Sequence, residues 1–176
     1  MEIINLPEKY REIWEKCLSK FKDARNDDEQ HAVEVTEFIL DYSKDKEIDL
    51  EILIPVAMMH DIGHSAILPE HFKYITGGEK VVNGKLAHML AGAKIAKEIL
   101  ESINYDKSNA EEIVNMISVH ERDQIEGWVN EEVYNTENKK LFHDIDCLDR
   151  YNAQRIDKAK HMFNNDMEKI LKLLEK

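Results

Sequence analysis

The chain has 176 residues, with 24 Lys and Arg against 36 Asp and Glu, a formal net charge of −12. That length fits a single domain spanning 1–176. The acidic balance excludes a general nucleic-acid or anionic-membrane surface, which needs clustered positive charge.

A phosphorylated substrate stays open, because a bound metal can supply local positive charge. Cys17 and Cys147 stand far apart and in no CxxC pair, so neither a disulfide framework nor a zinc knuckle follows. The start MEIINLPEKY lacks a basic-then-apolar signal pattern, and the longest apolar run falls short of the roughly 20 residues a span needs. These features predict a soluble cytoplasmic protein.

Helical periodicity dominates the chain. From Leu6 to Phe21, apolar residues recur at Tyr10, Ile13, Trp14, Cys17, Leu18 and Phe21. Asn26-Asp27-Asp28 offers N-caps for a second helix to about Tyr42, with Val35, Phe38, Ile39 and Tyr42 on its apolar stripe. A third helix covers about Leu50 to Asp61, with Gly63 as its C-cap. Residues 64–86, with Pro69, Gly77-Gly78 and Gly84, read as a lid-like connection.

A fourth helix runs from about Leu86 to Ser102. Ser108-Asn-Ala-Glu111 matches a capping box and opens a fifth, to about His120. Asp123 to Glu132 reads as a second irregular connection around Gly127-Trp128. Helices over about Thr136–Tyr151 and Ala153–Leu174 complete the chain. The Lys- and Leu-rich last ten residues suit packing on the core or a homodimer contact. No strand-like alternation, GxGxxG, P-loop or internal repeat stands out, so the expected fold is all-α.

Four of these helices carry a histidine on the apolar face. His31 precedes Val35, Phe38 and Tyr42 by four, seven and eleven residues. Leu53, Val56 and His60 are spaced i, i+3, i+7, and His88 leads Gly92, Ile95 and Ile99. Ile113, Met116 and His120 repeat the pattern, and residues so spaced share a helix face. Asp61 and Asp146 add carboxylates near helix ends. Buried charge is costly unless paired or bound to a metal, and one shared metal site accounts for all six. Imidazole with carboxylate and no thiolate suits Fe, Mn, Co, Ni or Zn better than Mg or Ca.

The ordered set His31 … His60-Asp61 … Asp146 resembles the HD-domain superfamily of metal-dependent phosphohydrolases. HAVEVTEFIL resembles its first histidine helix, AMMHDIGH its HD helix, and HDIDCLDR the segment that supplies its last ligand, mapped to Asp146 rather than Asp144 or Asp149. The resemblance covers about residues 25 to 155 and implies a bundle of five or more helices around the metal. The added His88 and His120 resemble the dinuclear branches, which hold two ions; those branches include di-iron oxygenases. No GYP follows SVHERDQIEGW, and His64 stands where the HD-GYP branch has lysine.

HDIGH also resembles the deoxynucleoside-triphosphate triphosphohydrolases, in which a histidine at the His64 position takes part in catalysis. The resemblance therefore implies His31, His60, Asp61, His88, His120 and Asp146 as ligands of one or two divalent transition-metal ions. Asp61 and His64 are the implied catalytic groups. The expected activity is hydrolysis of a small phosphorylated metabolite, such as a nucleotide, by metal-activated water. A di-iron oxygenase on the same ligands and a nucleotide sensor without turnover are the alternatives. Arg122, Arg150, Glu70, His71 and Trp128 could border the site, whereas His143 and His161 read as surface or incidental residues.

Overall fold

The computed structural model describes residues 2–25, 27–66, 84–126 and 131–149. Within them the order is a 3-10 turn at Glu8–Tyr10, α1 (Arg11–Phe21), α2 (Asp28–Tyr42), α3 (Leu50–Met59) and a second 3-10 turn at Ile62–Ala66. Then come α4 (Gly84–Ser102), α5 (Lys107–Ile117), α6 (Arg122–Glu126) and α7 (Glu137–Asp149). No strand occurs among the described residues, and the fold is all-α. None of the described helices is long and apolar enough to cross a membrane. The lid residues Pro69, Glu70, His71 and Gly77-Gly78, together with Trp128, Arg150, His161 and the terminal helix expected over 153–174, lie outside the described residues.

Helix α3 is the central element. All residues from Ile52 to Met59 are buried, and α3 packs against α1, α2, α5 and α7. Fully burying an Ile, Leu or Met side chain stabilises by about 1.5–3 kcal/mol, so this run anchors the bundle. Asp49 caps it by accepting from the Glu51 backbone N–H (3.1 Å). Pro55 sits inside the helix and cannot donate to the carbonyl four residues earlier. The Tyr105 hydroxyl donates to that carbonyl, Glu51 O, at 2.7 Å, so the helix keeps its proline without an orphaned acceptor.

Several helix ends differ from the sequence reading. Asp106, not Ser108, caps α5, accepting from Asn109 N at 2.9 Å. Ser108 lies one residue inside the helix. Helix α5 ends at Ile117, so His120 sits in the turn beyond it. Part of the expected connection after His120 is helical, as α6. On α2, Phe38 and Tyr42 are exposed rather than core, and their rings stack on each other at 6.2 Å. The buried face of α2 instead carries Asp28, His31, Ala32, Val35 and Ile39, an i, i+3, i+4, i+7, i+11 pattern that starts one turn earlier.

Gly63 is not a helix cap. It lies in the 3-10 turn that follows Asp61, and a Cβ there would meet His88 O at 1.9 Å and Gly92 N at 2.5 Å. Glycine is needed for close approach. The turn lies directly on α4, with Gly92 as the matching small residue, where a Cβ would stand 3.3 Å from His60 O. This contact brings the end of α3 to the start of α4. Helix α4 ends on Asn104 at φ 52°, with Tyr105 N bonding Leu100 O (3.0 Å) and Asn104 N bonding Glu101 O (3.2 Å). That is a Schellman end, which turns the chain back into α5.

Candidate metal centre

Each of the six residues singled out in the sequence is buried: His31 and Asp61 at 6%, His60 and His88 at 1%, His120 at 3% and Asp146 at 9% exposure. They converge on Asp61. On one side, Asp61 Oδ2 lies 3.7 Å from His60 Nε2 and 4.0 Å from His31 Nε2. Asp146 Oδ1 completes that side, 2.9 Å from His31 Nε2 and 3.6 Å from His60 Nε2. On the other side, Asp61 Oδ1 lies 3.4 Å from His88 Nε2 and 3.5 Å from His120 Nε2. One carboxylate thus presents an oxygen to each of two donor groups, and His31, His60 and Asp61, like Asp61, His88 and His120, lie close enough together to hold an ion.

The donor atoms are aimed by backbone contacts. His60 Nδ1 lies 3.0 Å from Ala57 O and His120 Nδ1 lies 2.8 Å from Ile117 O. An N–H donated there leaves each Nε2 as a lone pair facing the cluster. His60 Nε2 is buried and has no hydrogen-bond partner. His88 Nε2 and His120 Nε2 face each other at 3.3 Å. A buried, unpartnered imidazole nitrogen is unfavourable without a cation to share its lone pair. The donor set fits a borderline transition metal.

Protonation agrees in part. Burial pushes His60 down to about 4, against the pull of Asp61 and Asp146, so it is neutral at pH 7. Burial also lowers His88. For His120 burial acts in the same sense and is the largest single effect, but the hydrogen bond to Asp61 together with the charges of Asp61, Asp146 and Glu121 outweighs it and raises its pKa. Burial opposes ionisation of Asp61 and Asp146, yet the surrounding histidines hold both below the usual carboxylate range.

His64 lies beside the cluster in the 3-10 turn. Its ring stacks on His88 at 4.1 Å, and its Nδ1 is 3.8 Å from Asp61 Oδ1. Nδ1 is also 3.1 Å from Asp28 Oδ2, at ion-pair distance but not aligned for a hydrogen bond. Three further residues were missed in the sequence. Asp28 was read only as a cap, yet it is 3% exposed and lies on the His31 face of α2, three residues earlier. That spacing was the available signal. Arg25, in the turn before α2, reaches Asp61 Oδ2 at 3.3 Å. Glu121 Oε2 is 3.2 Å from His88 Nε2, and its Oε1 accepts from Lys85 at 3.0 Å. Neither carried a periodic signal.

Other expectations resolve differently. His143 is partly buried, not a surface residue. Its Nε2 is 3.4 Å from Asp123 Oδ2 and 3.8 Å from Cys147 Sγ, and its ring lies against Tyr134. The Asp123 and Cys147 contacts raise it to about 10. Asp144 is a surface acid 3.5 Å from His143 Nδ1, and the Asp149 side chain lies outside the described residues.

The bundle gathers H, HD, H, H and D around one carboxylate, the arrangement of a metal-dependent helical domain. The HD domain family model matches residues 29–152. The chain belongs to the HD domain family, a superfamily of metal-dependent phosphohydrolases. No curated protein and no solved structure matches it.

Proposed function

We propose that the chain is a metal-dependent phosphohydrolase acting on a small phosphorylated metabolite such as a nucleotide. The observation that supports this reading best is Asp61, whose two oxygens face separate donor groups inside a buried cluster. His31, His60, Asp61 and Asp146 would hold one divalent ion, and Asp61, His88 and His120 a second. When bound, such ions acidify a coordinated water toward neutral pH and offset the charge of phosphate oxygens.

The chain's own groups do the rest. The neutral His60 and His88 supply lone pairs without competing protons, whereas His120 first gives up the proton that Asp61 favours. Asp61 fixes the spacing of the two donor groups. His64, stacked on His88 at the edge of the cluster, is placed to hold a proton for the leaving oxygen. Burial of the cluster excludes bulk water and strengthens every charge interaction within it.

A di-iron oxygenase is the second reading, since the same six side chains form its ligand set. The test is one sample of anaerobically purified protein. It is analysed for metal, then offered nucleotides and other phosphomonoesters with Mn²⁺, Co²⁺ or Ni²⁺. Phosphate release that disappears in Asp61→Ala supports the hydrolase. Iron content with an O₂-dependent optical or EPR change, and no phosphate release, supports the oxygenase. Tight nucleotide binding without product would make the chain a sensor.

A further inference from the structure

A cation links the buried cluster directly to solvent. The Arg25 side chain is 62% exposed, yet its Nη2 lies 3.3 Å from Asp61 Oδ2, and Asp61 is only 8% exposed at its side chain. The guanidinium is not loose. Asp28 Oδ1 accepts from Nε at 2.9 Å and lies 2.8 Å from Nη2, and Asp28 Oδ2 accepts from the Arg25 backbone N–H at 3.0 Å. Asp28 is itself buried and faces His64 from the other side. A solvent-facing arginine is thus clamped by a buried acid and laid against the oxygen of Asp61 that also faces His31 and His60.

We infer that Arg25 is a phosphate-binding residue of this centre: it contacts a non-bridging oxygen of the phosphoryl group held at the Asp61 cluster, and selects a dianionic phosphate. This rests on the hydrolase reading above. Charge supports the role. Asp61 and Asp146 offset one divalent ion, and a second leaves a surplus of two positive charges. Asp28 cancels Arg25, and Lys85 is paired with Glu121. The uncancelled surplus beside the Arg25 guanidinium favours an anion between them. A phosphate monoester or a terminal nucleotide phosphate supplies two negative charges and an oxygen for each side.

Position supports it too. An oxygen that approaches a cation at Asp61 Oδ2 enters the reach of Nη2. The planar fork lets Arg25 keep one edge on Asp28 and offer its remaining N–H groups outward, which a lysine cannot do. Among the described residues, Nη1 has no partner of its own.

The test is titration of Mn²⁺-loaded protein with inorganic phosphate by calorimetry, with metal content and melting temperature measured on the same samples. Wild-type protein binds phosphate. Arg25→Gln is expected to bind it about tenfold more weakly or worse, the effect of losing a charged hydrogen bond, with metal content unchanged. Arg25→Lys keeps an ion pair for Asp28 and so guards against loss of the fold; it is expected to lose affinity as well. Dimethyl phosphate, a monoanion, is expected to bind wild-type protein weakly. Wild-type phosphate affinity in both metal-loaded variants would overturn the role of Arg25. Equal binding of dimethyl phosphate would overturn the dianion assignment. A loaded wild-type protein that binds no phosphate and releases none from any ester would instead remove the hydrolase reading beneath it.

Discussion

His60 shows how one residue joins stability to chemistry. It is buried in neutral form, with its pKa lowered from 6.5 to about 4 by burial. In the unfolded chain it takes up a proton near 6.5. Between those values the unfolded state binds more protons, so stability falls as pH falls. The metal-free protein is therefore expected to lose denaturant resistance from pH 6.5 down to 4, read from unfolding midpoints across that range. His143 has the opposite sign, because Asp123 and Cys147 raise it to about 10. Its contribution is full below pH 6.5 and is lost as pH rises through 10. In His143→Phe, the fall in stability between pH 7 and 10 should be shallower than in wild type.

At the same scale, the proton that His120 holds against Asp61 must leave when a metal binds. Calorimetric Mn²⁺ titrations near pH 6.5, run in two buffers of different ionisation enthalpy, should report proton release. Release that is undiminished in His120→Gln would contradict this. The histidines could be read from the sequence because each sits at core spacing, where a titratable group is conspicuous. Arg25 and Glu121 could not, because a charged residue in a turn looks the same whether it faces solvent or a site. Only the fold brings Arg25 to Asp61, 36 residues away.

Among the elements, the contact between the Ile62–Ala66 turn and α4 is the one that brings the two donor groups together. Its closeness depends on Gly63 and Gly92. Gly63→Ala would drive a methyl into the α4 backbone. Overpacking of this kind costs roughly 1–3 kcal/mol, and the displaced turn should also weaken metal binding. A melting curve and a metal titration on the variant check both effects. Tyr105→Phe leaves Glu51 O without its donor opposite Pro55; a loss of about 1 kcal/mol is expected in denaturant unfolding.

Helix positions were legible in the sequence because hydrophobic period reports burial. Helix ends were less so. Ser108 and Asp106 are equally good caps on paper, and only backbone geometry chooses Asp106. Gly63 looked like a cap because glycine marks both chain reversal and close approach, and the sequence does not separate them. Phe38 and Tyr42 kept the helical spacing of core residues, yet they lie on an exposed part of α2.

For the whole molecule, the bundle reads as a frame that encloses acids and imidazoles at one point. α2, the end of α3, α4, the turn after α5, and α7 each contribute at least one donor. A ligand that bridges five segments and binds only the folded state stabilises it by mass action, by about 2.7 kcal/mol at a hundredfold excess over Kd. The all-α fold and the gathering of six donors follow from sequence pattern together with the HD resemblance. The division of Asp61 between two donor groups does not, since it depends on side-chain direction at a helix end.

The most direct measurement is the number of transition-metal ions bound per chain, determined by elemental analysis after anaerobic reconstitution of wild-type protein and Asp61→Ala. Two ions per wild-type chain, with both lost in Asp61→Ala, is the result expected if the carboxylate joins two metal sites. A wild-type protein that stays metal-free after reconstitution with Mn, Fe, Co and Ni, or a variant that binds as many ions as wild type, would contradict it.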